Sequence, residues 1–437
     1  MSGIKNWFVI IAAMLFLQLP AIVAHGFMVE GYTTLVAEDA ANGDQYGFSV
    51  DTDGRWLVVG AKYATIDGLQ TGAAYVYRKT HITGEWQFIQ KLVLDNTDAI
   101  SPTEFGESVA VSHNRILIGA RSMLASNGRL SGTAYLYTYR GRKHGWVLDA
   151  EIEPPDGTDG DEFGRSVALG PHRLFVGARF AFNAEGVQSG AVYVYKKRRN
   201  EWQLETKLTD PNGGDQDQLG RAISFDAKSS QYLAVGSRKG ETDNGESQGK
   251  VLIFMPMGMT WVMSQEIAAD DGVEGDYFGQ SLKLSGDLMV IGARNAPDSD
   301  GNAVGAAYIY SLSKPAKTWK LEQKLAPPDG KDKAQYGFAV DFDRQTATKL
   351  AVSARRADSE AGNKTGQVYL YSYDDSEQSW LLDDTVAPED LAQDDEFGQS
   401  LAIDPFGASW LVVGADQSTL SGVEKAGAAY TLKCRGQ

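Results

Sequence analysis

The residues best suited to chemistry in this chain recur at fixed distances from a repeated glycine. Eight positions before that glycine stand Asp39, Asp98, Asp156, Asn212, Asp271, Asp329 and Asp390. Three positions before it stand Asp44, Asp161, Asp217, Asp276 and Asp395, with Thr103 and Ala334 in the other two copies. Carboxylates so placed can cap backbone N–H groups in turns. A run such as Asp156, Asp159 and Asp161 also offers three carboxylates to a hard cation, although calcium takes six to eight oxygens in one place. The turn reading is the stronger, and no metal is expected to be required. A second set is basic. Lys62, Arg121, Arg179, Arg238, Arg294 and Arg355 follow a Gly-Ala pair or its equivalent, and Asp416 takes that place in the last copy. These cations can close internal salt bridges, or form a charged rim able to hold a carboxylate, a sulfate or an acidic sugar. Arg165 and Arg221, directly after two of the repeated glycines, add to that rim.

Other chemistry finds little support. The five histidines, His25, His81, His113, His144 and His172, are scattered, with no HExxH, GxSxG or P-loop pattern. The lone Cys434 excludes an intramolecular disulfide and any multi-thiolate zinc site. It packs beside the last strand or bridges to another molecule. Asn363-Lys364-Thr365 is a glycosylation sequon, meaningful in a host that glycosylates. A formal charge of −16 excludes nucleic acid as a partner and disfavours anionic membrane surfaces. No enzyme is expected.

The repeated glycine belongs to an aromatic-Gly pair, mostly followed one residue later by Ser. The copies are YGFS (46–49), FGES (105–108), FGRS (163–166), LGRA (219–222), FGQS (278–281), YGFA (336–339) and FGQS (397–400). Successive glycines are 59, 58, 56, 59, 58 and 61 residues apart. Each period carries four short segments rich in Val, Ile, Leu and Tyr between Gly, Asn, Asp and Ser, as in FGESVAV, RILIGAR, GTAYLYTY and WVLDAEI of the second. None has sustained helical periodicity. Four strands per unit in series predict an all-β, seven-bladed β-propeller over residues 28–437. The fourth segment carries Trp86, Trp146, Trp202, Trp261, Trp319 and Trp380, and the last unit lacks one. Residues 28–36 precede the first unit and are expected to supply that strand, closing the ring.

Residues 1–24 have Lys5, an apolar run from Trp7 to Leu19, Pro20 and Ala24. They read as a signal peptide cut after Ala24, giving a secreted or cell-surface protein without stable membrane insertion; the alternative is an uncleaved anchor, for which residues 7–24, with Gln18 and Pro20, are marginal in length.

The FGxS, VGA and GAAYVY segments at this period resemble the FG-GAP repeats of integrin α-subunit head propellers and of many secreted repeat proteins. The resemblance implies adhesion-type recognition, and the expected partner is an extracellular protein or glycan, anionic where the basic rim takes part. It also implies calcium in A–B hairpins of DxDxDG type. This chain departs from that pattern: its A–B hairpins place no three acidic or amide residues at alternate positions, and only Asp51 and Asp53 come close. The expected function is a secreted, non-enzymatic binding propeller using the face of its B–C and D–A loops. The alternatives are a secreted carbohydrate-active lyase or hydrolase, or a structural extracellular component.

Overall fold

β-Branched and aromatic residues suit a pleated surface buried on both faces, and these short runs become strands accordingly. A computed structural model describes residues 26–80, 84–94, 102–226, 232–258, 260–314, 316–328, 330–420 and 422–435. Residues 1–24, read in sequence as a signal peptide, lie outside them, as do His25, His81, Asp98 and Asp329. Among the described residues there are seven four-stranded antiparallel sheets and no helix. In blade 2 the strands are A (Phe105–Ser112), B (Arg115–Ala120), C (Thr133–Tyr139) and D (Trp146–Ile152), from the axis outward. The other A strands are Tyr46–Thr52, Phe163–Leu169, Leu219–Phe225, Phe278–Ser285, Tyr336–Phe342 and Ser400–Ile403. The chain is an all-β propeller of seven blades, as its repeats predict.

Ring closure follows the phase of the repeat. Val29–Leu35 pairs antiparallel with strand C of blade 7 (Ala428–Cys434), Val29 opposite Cys434 and Leu35 opposite Ala429. Blade 6 holds the same segment from the other side, its Asp383 accepting the Phe27 N–H (2.8 Å) and its Asp384 that of Val29 (3.2 Å). Cys434 is buried in this seam, and burial pushes its thiol up to about 12, so it packs as an apolar group.

The repeated motif is explained where blades meet near the axis. A Cβ on Gly292, in strand B of blade 5, would lie 1.9 Å from the carbonyl oxygen of Gly337, the FG glycine of blade 6. Gly337 itself has φ +79°, and a Cβ there would lie 2.2 Å from the Ala306 oxygen. Only glycine fits either place. The motif serine completes the junction. Ser49, Ser108, Ser166, Ser281 and Ser400 donate to the FG-glycine carbonyl of the next blade at 2.7–2.9 Å. Blades 4 and 6 carry Ala222 and Ala339 there and lack the bond. Blade 6 also has Ser353 where strand B otherwise has glycine. A Cβ on Gly398 would meet the Ser353 Cβ at 2.7 Å, so Phe397–Gln399 stand off and strand A of blade 7 shortens to four residues.

Farther out, apolar clusters form between neighbouring blades. Trp56 and Val58 of blade 1 pack with Phe105, Ile118 and Trp146 of blade 2. Each FG aromatic meets a strand-C tyrosine edge-on, for example Phe163–Tyr193 and Phe278–Tyr308 at 5.3 Å between centroids. Leu219 faces the same interface with Leu252 in the tyrosine position. At the rim, Gln90, Gln265 and Gln323 each accept the backbone N–H and donate to the carbonyl of the next blade's Trp (146, 319, 380) at 2.7–3.0 Å.

Deleting Val29–Leu35 should lower the unfolding free energy by several kcal/mol, since it exposes the apolar edge of blade 7 at ~25 cal/mol per Å². Chemical denaturation of the truncated and full chains measures this, and equal midpoints would overturn the closing role.

Candidate functional site

The D–A turn that starts each blade also builds the mouth of the central channel. The residue before each aromatic is left-handed: Gln45, Glu104, Glu162, Gln218, Tyr277, Gln335 and Glu396 have φ between 55° and 64°. Its carbonyl accepts the N–H three residues on in blades 1–6, as in Glu107 N to Glu104 O at 3.0 Å. This tight turn points the residue after the FG glycine at the axis. These residues are Phe48, Glu107, Arg165, Arg221, Gln280, Phe338 and Gln399, and they line a funnel of about 240 Å³. Two residues farther on, Val50, Val109, Val167, Ile223, Leu282, Val340 and Leu401 line both this funnel and a second chamber of about 260 Å³ toward the A–B hairpins. One aliphatic side chain per blade therefore forms a collar between two polar chambers.

The basic set surrounds the funnel, and most of it is neutralised. Lys62 faces Glu107 at 3.5 Å and lies over the Phe48 ring. Arg121 contacts Glu104 and reaches Glu162 at 2.9 Å. Arg179 pairs with Glu162 at 2.6 Å, Arg355 with Glu396 at 3.2 Å, and Arg165 with Glu107. Burial opposes the charge of Glu107, but Arg165, Lys62 and Arg121 outweigh it and hold its pKa down at about 2. Arg238 has the amide oxygens of Gln218 (2.7 Å) and Gln280 (3.4 Å) in place of a carboxylate. Arg294 lies over the Tyr277 ring at 5.0 Å, with Arg238 5.5 Å from the same ring. Asp416, the acidic member of the series, is buried, which raises its pKa to about 6.

The acidic set performs turn chemistry and pairing. Asp39, Asp156 and Asp271 each take the hydroxyl of a strand-C tyrosine (75, 193, 308) at 2.8–3.1 Å and the ammonium of a strand-D lysine (91, 207, 324) at 2.5–2.6 Å. Asp44, Asp161, Asp217, Asp276 and Asp395 each accept the N–H of the residue three before them at 2.9 Å. Asp159 holds the Leu130 N–H at 2.7 Å. Asp156, Asp159 and Asp161 are thus each committed to different protein partners: Tyr193 and Lys207, Leu130, and Thr158. Asp53 caps its own hairpin through Trp56 N (2.8 Å) and holds His113 N (2.7 Å), while Asp51 takes Val111 N (2.8 Å) and Arg344 (2.7 Å). His144 and His172 are exposed, and Asn363 is exposed in the B–C turn of blade 6. The partners of the basic set were missed in sequence: the residue before each aromatic is as regular as the Asp positions, but Glu, Gln and Tyr there show no single chemistry.

Seven blades, closed by the N-terminal strand around a charged funnel, define a β-propeller. Residues 32–77, 86–137, 146–195, 261–310 and 319–371 match the FG-GAP repeat, together more than half of the chain. The chain belongs to the FG-GAP repeat family. Each match runs from an outer strand through strand C of the following blade; the three inner strands of blades 4 and 7 fall outside the matches. No curated protein matches the chain.

Burial, with Asp210 nearby, raises Asp217 to about 6 against a reference of 3.8, although Gly214 N and Lys250 favour its charge. The folded state thus holds a proton that the unfolded chain releases near pH 4, so this group's contribution falls as pH rises from about 4 to 6. Asp217→Asn should gain on wild type across that window by about 1–3 kcal/mol and stay level above it. Denaturant titrations at several pH values measure the difference, and a constant offset would refute the assignment.

Proposed function

We propose that this protein is a secreted, non-enzymatic recognition module that binds an extracellular protein or glycan on the face of its D–A and B–C loops. The observation that carries the reading is the way varied loops are pinned to a regular frame. The B–C loop of one blade is held by the D–A loop of the next, as in Leu130 N to Asp159 (2.7 Å) and Ala303 N to Asp332 (3.1 Å). The turns themselves differ from blade to blade, and those of blades 1–3 expose Leu69, Leu130 and Phe182. Rigid loops with exposed apolar side chains beside a polar funnel suit recognition, because little ordering entropy is lost on binding. Secretion is supported by the apolar segment before Ala24. No helix among the described residues is long and apolar enough to cross a membrane.

The chain lacking residues 1–24 should be captured on a glycan or protein array without degrading the ligand. Phe182→Ala and Leu130→Ala should each weaken capture at least fivefold, the scale of an interface anchor. Phe406→Ala, on the A–B hairpin of blade 7, and Arg142→Ala, between strands C and D of blade 2, should leave it unchanged. The reverse pattern would move the site to the opposite face, and released fragments would favour a lyase or hydrolase. We also read calcium as dispensable, because the loop carboxylates have protein donors. A chelator should leave the melting temperature unchanged, and a drop reversed by calcium would overturn this.

A further inference from the structure

The funnel is not electrically symmetric. In blades 2, 3 and 7 the residue before the FG aromatic is a glutamate, and the neighbouring arginines bind it. In blades 4 and 5 that place is taken by Gln218 and Tyr277, neither of them a carboxylate. Blade 4 adds Arg221 directly after its FG glycine, facing the funnel. In this sector Arg221 lines the funnel, Arg238 lies near enough to repel it, and Arg294 shares the Tyr277 ring with Arg238; none of the three is ion-paired to a carboxylate among the described residues. Arg238 has only amide oxygens, Arg294 only the Tyr277 ring, and Arg221 has no hydrogen-bond acceptor or ion pair among the described residues. The Nε atoms of both Arg221 and Arg294 are buried without an acceptor.

Guanidinium groups stay protonated, so such a sector cannot relieve its charge by losing a proton. Burial, then Arg165, Arg238 and Arg179, disfavour the charged form of Arg221 and outweigh the opposing Glu107, which is already paired with Arg165 and Lys62. The aliphatic collar beneath includes Ile223 and Leu282 of the same blades, which makes the surroundings less polarisable than water. The missing component is negative charge, and planar N–H forks match the oxygens of an oxyanion.

We propose that the blade 4–5 side of the funnel binds one small oxyanion, a sulfate or carboxylate group, at Arg221, with Arg238 and Arg294 behind it. This rests on the reading of the D–A and B–C face as the binding face, and assigns that face a ligand chemistry. A funnel of about 240 Å³ admits a single charged group and not a folded segment. The overall charge of −16 repels polyanions at long range, which favours an isolated group.

The test is calorimetric titration of the purified chain with sodium sulfate against sodium chloride at equal ionic strength, with thermal unfolding in parallel. Sulfate should bind once per chain and raise the melting temperature saturably. Arg221→Met and Arg294→Gln should each weaken binding at least tenfold, and in chloride Arg221→Met should melt no lower than wild type because it removes an unmatched cation. That separates loss of the site from loss of the fold. A sulfated disaccharide and its desulfated form identify the source. Tighter binding of the sulfated sugar than of inorganic sulfate places the group on a saccharide; equal affinity indicates the free ion. Sulfate heats indistinguishable from chloride, or affinity retained in both variants, would overturn the proposal. Array capture surviving both variants would defeat the oxyanion site alone and leave the recognition face standing.

Discussion

Every regular blade boundary passes through one contact: the carbonyl of an FG glycine lies against the strand-B glycine of the blade before it. No side chain fits on either residue, and the approach sets how closely seven sheets crowd around one axis. The rest of the repeat follows from it. The motif serine is two residues from the FG glycine because there it reaches the next blade's carbonyl. The aromatic before the glycine fills the wedge that opens with distance from the axis. Where Ser353 replaces the strand-B glycine, the neighbouring inner strand loses its first three residues, so the dependence is visible within the chain itself.

A frame this repetitive makes its exceptions informative. Six blades carry a cation after strand B, but the partner offered to it changes around the ring from Glu to Gln to Tyr. The scaffold is near-symmetric and its electrostatics are not. Structural demands act on the positions that touch the next blade, and the residues facing the funnel are free to diverge.

The fold was legible in sequence because a propeller repeats its constraints. The FG pairs set the number of blades, the Trp positions set the strand phase, and the missing seventh Trp implied that residues 28–36 close the ring. The turn role of Asp44 or Asp161 was legible too, since it is satisfied three residues away. What lay hidden joins residues a whole blade apart. Gln323 clamps the backbone of Trp380, and Lys62 faces Glu107, through distances that no local pattern encodes. The aliphatic collar was also missed: its members look like ordinary strand residues until seven of them are arranged around one axis.

Closure by the first strand has a consequence for how the molecule comes into being. Val29–Leu35 and its partner Ala428–Cys434 stand at opposite ends of the seven-blade sequence. At roughly 5–20 residues per second, synthesis separates the two by about 20–80 s. Through that interval blades can stack one upon another as a growing open arc, each new one templated by its predecessor. The arc has an unsatisfied edge at its end and an orphan strand at its start. The first strand of a second chain could pair with that edge in the same register, so it competes with the chain's own strand, which holds the advantage of being tethered.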